Sequence, residues 1–107
     1  MIASLKDYSQ IVLRLYTDLP DTPLKPRPAD RRVVEDLHSR GISVHTIEAA
    51  FLLASARRVC RNPTKPRLPQ IRSLAYFLPV IEELVRQPIP ARYLTYVRSK
   101  ITLKPTS

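Results

Sequence analysis

Glycine occurs once in this chain, at Gly41, and proline eleven times. With so little glycine, few positions can turn the backbone through positive φ without strain, so proline does the punctuating. Pro20, Pro23, Pro26 and Pro28 crowd one connector, Pro63, Pro66 and Pro69 a second, and Pro88 and Pro90 a third. The stretches between them run roughly 12 to 18 residues and lack period-two alternation of β-branched residues, which suits helices rather than strands. The spacing predicts an all-α fold, a compact single-domain bundle of five to six helices with proline-rich connectors. The 107 residues leave no room for a second full core. Residues 1–28 supply a helix and connector, 29–85 the core helices, and 86–107 a basic C-terminal helix and tail.

Local signals place the elements. Ser4 is an N-cap for a first helix from Leu5 to about Leu19, whose Leu5, Tyr8, Val12, Leu15, Tyr16 and Leu19 recur at three and four. A second helix begins near Ala29 behind Pro28, with Asp30 favourable in its first turn, and stops at Gly41. Ser43 caps a third helix from Val44 to about Cys60. Its apolar face of Ile47, Ala50, Phe51 and Ala54 is widened by Leu52, Leu53 and Val59, the pattern of a central helix. Pro79 interrupts the fourth segment, Ile71 to Val85, which predicts a kink or two abutting helices. The last helix starts near Pro90 and carries Tyr93, Leu94, Val97 and Ile101.

The net charge of +9 is unevenly placed. Residues 1–30 balance to zero, so the whole excess lies in 31–107. Two runs contain no acid: Arg57, Arg58, Arg61, Lys65, Arg67 and Arg72, then Arg86, Arg92, Arg98, Lys100 and Lys104. The helix dipole accounts for cations at the end of the third helix but not for Lys65, Arg67 and Arg72 beyond it. A connector stiffened by three prolines would hold these as a ridge suited to a phosphate backbone. The bland alternative is a basic face kept for solubility. Arg57, Arg58, Arg61, Lys65, Arg67 and Arg72 are the first candidate nucleic-acid site, with Arg92, Arg98 and Lys100 as a second patch. Tyr76, Tyr93 and Tyr96 lie near these runs, but their aliphatic neighbours at helical spacing assign them to core or boundary packing.

The stretch VVEDLHSRGISVHTIEAAFLL (33–53) resembles a helix-turn-helix. Its reading face would be Val44, His45, Glu48, Ala49 and Leu52, without the Arg, Lys, Asn or Gln that read base edges. A helical hairpin, not a sequence reader, is the expectation. GISVHTIEAAFLLA followed by IRSLAYFLPVIEEL resembles the helical replication-accessory domain of the DnaD, DnaB and DnaT type over about residues 29–85. Gly41, Ser43, Ile47, Ala50, Ala54, Tyr76, Phe77 and Ile81 occupy the matching places. That resemblance implies single-stranded DNA binding and contact with a replicative helicase or primosome. The proline-rich insertion and Pro79 depart from the family pattern.

No catalytic constellation is legible. His38 and His45 read as two unpaired surface histidines rather than metal ligands. Glu82 and Glu83 are adjacent and so face different sides of a helix, where the dipole gives them a role. Cys60 reads as a buried or half-buried small residue, and one glycine excludes a phosphate-cradling loop. No enzyme activity, cofactor or metal is expected. One cysteine, the absence of a signal-peptide core, and an apolar run no longer than Ala49–Ala54 predict a cytoplasmic protein that enters no membrane. The expectation is a nucleic-acid-binding accessory protein, sequence-independent and more readily for DNA than RNA, serving replication or mobile-element maintenance with a protein partner from that machinery. Two alternatives stand: an adaptor docking an acidic partner through its basic face while self-associating through an apolar helix face, and a structural subunit of a ribonucleoprotein.

Overall fold

In a computed structural model, which describes residues 4–60, 64–66, 68–101, 103 and 104, the chain is an all-α single-domain bundle. The helices are α1 (Leu5–Asp18), α2 (Pro28–Ser39), α3 (Val44–Val59), α4 (Leu78–Arg86) and α5 (Ala91–Arg98). A 3-10 turn, Leu74–Phe77, runs directly into α4. No strand occurs among the described residues, and none of their helices is long and apolar enough to cross a membrane.

The boundary signals act as their chemistry requires. The Ser4 hydroxyl accepts the Asp7 N–H at 3.3 Å, and the Ser43 hydroxyl accepts that of Thr46 at 3.1 Å. Gly41 takes φ 73°, and the N–H groups of Gly41 and Ile42 return to the carbonyls of His38 and Leu37. This is the paired-bond ending in which a left-handed residue lets a helix satisfy its last acceptors. Asp21 is the one other described residue at positive φ, 64°, just beyond α1, in a conformation Asp tolerates better than most residues. Pro79 lies in the first turn of α4, where its missing N–H forfeits no helical bond. The interrupted segment is therefore two abutting helices, and residues 71–73 lie outside both.

The third helix is the axis of the bundle, packed against α1, α4, α5 and the 3-10 turn, while α1 also packs on α2. Every residue from Ala49 to Ala56 is buried, as a helix covered on several sides demands. Phe51 and Phe77 meet at 4.9 Å between centroids, with Tyr16 at 6.4 and 6.1 Å from them. The Tyr8 hydroxyl donates to the Ile42 carbonyl at 2.7 Å, pinning α1 to the α2–α3 turn. Several expectations need correction. Val59 and Leu5 are exposed rather than core, each at the end of its helix. Cys60, one residue past α3, is exposed rather than buried or half-buried. His38 is not an unpaired surface group: its ring meets Tyr8 edge-on at 4.9 Å.

Burial holds Tyr8 and Tyr16 in their neutral forms, pushing both phenols from 10.0 up to about 12. For Tyr16 the charge of Asp30 adds to that shift, and Arg27 opposes it. The folded pKa lies above the unfolded one, so the folded state keeps protons that the unfolded chain releases. Their contribution is complete below pH 10 and is lost as pH rises through about 12. An alkaline titration followed by phenolate absorbance and circular dichroism should show two phenols ionising together with loss of helix. Ionisation of both without helix loss would contradict it.

Candidate nucleic-acid interface

The first cationic run divides once it is folded. Arg57 turns to α4 and makes a forked pair with Glu83, at 3.0 and 2.7 Å. The guanidinium bonded to it holds the Glu83 carboxyl below its ordinary value, while Glu83 raises Arg57. Glu82 pairs instead with Arg40. The two glutamates lie beyond the first turn of α4, so ion pairs rather than the helix dipole give them their roles. Arg58 points the other way. Its side chain is only 10% exposed. The guanidinium donates to the Pro69 carbonyl at 2.8 Å and the Tyr76 hydroxyl at 3.2 Å, lies 3.4 Å from the Asp21 carboxylate, and stacks over the Tyr76 ring at 5.5 Å. It is a fastener, joining α3 to the proline loop and to the α1–α2 connector. Lys65 and Arg72 are exposed and make no ion pair with a described residue. Arg61 and Arg67 lie outside the described residues.

The second patch divides too, and α5 explains how. Leu94 and Val97 are its buried residues. Successive residues rotate by about 100° around a helix, so positions 93, 96 and 100 fall on one stripe beside that core face. A hydrogen bond from Lys100 N to the Val97 carbonyl carries the turn past the helix end. Tyr93 and Tyr96 are 45% and 56% exposed, not packed away as their spacing with aliphatic residues suggested. Leu94 and Val97 already fill the contact with α3, leaving the tyrosines on its flank. Their rings are 6.1 Å apart at 32°, and the Lys100 ammonium lies 5.0 Å over Tyr96. Arg92 is exposed on the solvent side of the same stripe. Arg98 lies roughly opposite Lys100 around the axis and sits 3.5 Å from Glu48 of α3.

The face of α3 that a reading helix would offer to a groove is covered over its second half, while His45 at its start is exposed. Ala49 and Leu52 are buried, and Glu48 is engaged by Arg98. A shallow cleft beside it is lined by Leu15, Leu19, Phe51 and Leu52, with Asp18, Glu48 and Arg98 as its charged members. Among the described residues no group of three His, Cys, Asp or Glu side chains could hold a metal ion.

Lys104 leaves the cationic surface for a structural task. Its ammonium lies within hydrogen-bond distance of the Thr17, Thr22 and Pro23 carbonyls and the Thr22 hydroxyl, and its backbone N–H donates to the Asp18 carbonyl at 2.8 Å. α1 has no basic residue in its last turn, so this lysine from the far end of the chain covers its negative pole. Burial lowers the Lys104 pKa, against the opposing pull of Asp18 and Asp21. The signal sequence reasoning missed on α5 was available: placing 93, 96 and 100 on a helical wheel separates them from Leu94 and Val97. Nothing local could have revealed the tasks of Arg58 and Lys104. No family model, curated protein or solved structure matches this chain, so the resemblance to replication-accessory domains rests on the residues quoted for it.

Proposed function

We propose that this protein is a non-enzymatic nucleic-acid-binding protein that grips phosphates without reading sequence. The observation that carries the proposal is the exposed face of α5 and its C-terminal turn, where Arg92 and Lys100 make no ion pair with a described residue. Cations without acids beside them are available to a polyanion, whereas Arg57 and Arg98 must trade a carboxylate for a phosphate to join. Lys65 and Arg72 provide a second contact area on the proline loop. Two residues of the candidate α3 reading face, Ala49 and Leu52, are buried, and the face carries no Arg, Lys, Asn or Gln, which favours sequence-independent contact.

Fluorescence anisotropy with random oligonucleotides at several salt concentrations tests this. The logarithm of affinity should fall linearly with the logarithm of salt, by roughly 0.7 to 0.9 per phosphate engaged. Joint Arg92→Glu and Lys100→Glu substitution should weaken binding by about tenfold or more, a difference of about 1.4 kcal/mol or greater, without changing the circular dichroism. Absence of binding at low salt would overturn the reading and favour the adaptor, which would instead capture an acidic protein surface through the same cations.

A further inference from the structure

We infer that Tyr93 and Tyr96 form a two-ring ledge on which unpaired bases stack, so that the protein engages single-stranded nucleic acid in preference to duplex. The inference deepens the function proposed above and rests on it. Both residues lie outside the stretch that carries the family resemblance.

The rings are not part of the buried core. Tyr8 and Tyr16 are essentially fully buried, whereas Tyr93 and Tyr96 leave about half their surface in water. On a short helix held by Leu94 and Val97, two adjacent exposed aromatics call for a ligand that pairs with flat apolar faces. Their spacing and shallow mutual tilt suit consecutive faces of one strand. The surrounding charge narrows the ligand further. Arg92 flanks the stripe, the Lys100 ammonium lies 5.0 Å over the Tyr96 ring, and α5 contains no acid. A neutral aromatic ligand would leave those cations unused, and an acidic peptide would leave the paired rings uncovered. A nucleic-acid strand with unstacked bases uses both, its phosphates on the cations and its bases on the rings. Within a duplex the bases are already stacked and cannot reach the ledge.

The test compares a single strand bearing bases, its abasic counterpart of the same length, and a duplex of half that length, so that all three carry the same number of phosphates. The base-bearing strand is used as DNA and as RNA, since the stacking chemistry is common to both. Base–aromatic stacking is worth about 1–3 kcal/mol per base, so the base-bearing strand should bind at least about fivefold tighter than the abasic one. It should also bind tighter than the duplex. The chain has five tyrosines and no tryptophan, so tyrosine emission can be followed, and the part of it that the Tyr93→Leu, Tyr96→Leu variant lacks should be quenched by the base-bearing single strand and not by the abasic strand or the duplex. Replacing both rings (Tyr93→Leu with Tyr96→Leu) should abolish the preference and leave residual binding as salt-dependent as before. The Tyr93→Phe, Tyr96→Phe pair should keep the preference, since the rings remain. Equal affinity for base-bearing and abasic strands, duplex preference, or an unaffected leucine variant would each overturn the ledge while nucleic-acid binding stands. No binding of any probe by the native chain would overturn both readings.

Discussion

Asp30→Ala should destabilise the fold by about 3–5 kcal/mol, the largest loss expected from any single polar substitution. Asp30 is 1% exposed, in the first turn of α2. One carboxylate oxygen accepts the Arg27 N–H at 2.9 Å, capping α2. The other accepts the Leu74 N–H at 2.9 Å, at the start of the 3-10 turn, 44 residues further on. Alanine would leave two backbone donors without their acceptor, each costing about 1–3 kcal/mol when desolvated, and would open a void where the side chain stood. In a domain whose total stability is roughly 5–15 kcal/mol, that is a large share. At roughly 4–8 °C per kcal/mol the melting midpoint should fall by about 12–40 °C. Asp30→Asn separates charge from geometry. It keeps one acceptor but turns an NH2 group toward one backbone N–H, so its loss should be intermediate. Urea melts of the three proteins with matching slopes would establish the order. An alanine variant as stable as the native chain would refute it.

What could be read from the sequence follows a physical boundary. Ser4, Ser43, Gly41 and Pro79 act on backbone within a turn of themselves, so residue type and neighbours suffice to place a cap, a stop or a restart. The breadth of the α3 apolar face likewise announced a central helix. Asp30 was legible only as a helix-start acid. Its second partner, Leu74, comes near only when α2 packs on the 3-10 turn. Lys104 is the same case at greater separation. It looks like part of a basic tail until the fold brings it to the end of α1. Partnerships between distant segments leave no local trace in composition or spacing.

The cationic surface was legible in amount and not in arrangement. A run of arginines along the chain need not form a surface, because neighbouring side chains on a helix diverge. Arg57 and Arg58 show this most sharply, one meeting α4 and the other the proline loop. Arg98 and Lys100 part in the same way around α5. Asp21, Glu48 and Glu83 are distant in sequence from the arginines they engage, so the acid-free runs overstate how much positive charge is free.

Arg58→Ala should therefore cost stability and leave binding intact, opposite to the effect of Arg92→Ala. Arg58 reaches Pro69, Tyr76 and Asp21 from a side chain that is nearly buried. The Ile71 N–H bonds to the Asp21 carbonyl alongside, so the proline loop is tied to the connector at two points and truncation removes one of them. A hydrogen bond involving a charged group contributes about 1.5–3 kcal/mol. With the Pro69 carbonyl and Tyr76 hydroxyl released partly to water, the net loss should be about 2–3 kcal/mol. Arg58→Lys should recover only part of it, because one ammonium cannot span the positions that the guanidinium fork satisfies together. Arg92 is exposed and makes no ion pair with a described residue, so its removal should change stability by no more than about 0.5 kcal/mol. It should, however, weaken phosphate binding and flatten the salt dependence by roughly one phosphate contact. Urea melts and anisotropy on both variants measure the two effects independently. If Arg58→Ala melts like the native chain but binds more weakly, Arg58 belongs to the interface, and the proline loop is held by its own prolines and the Ile71 bond.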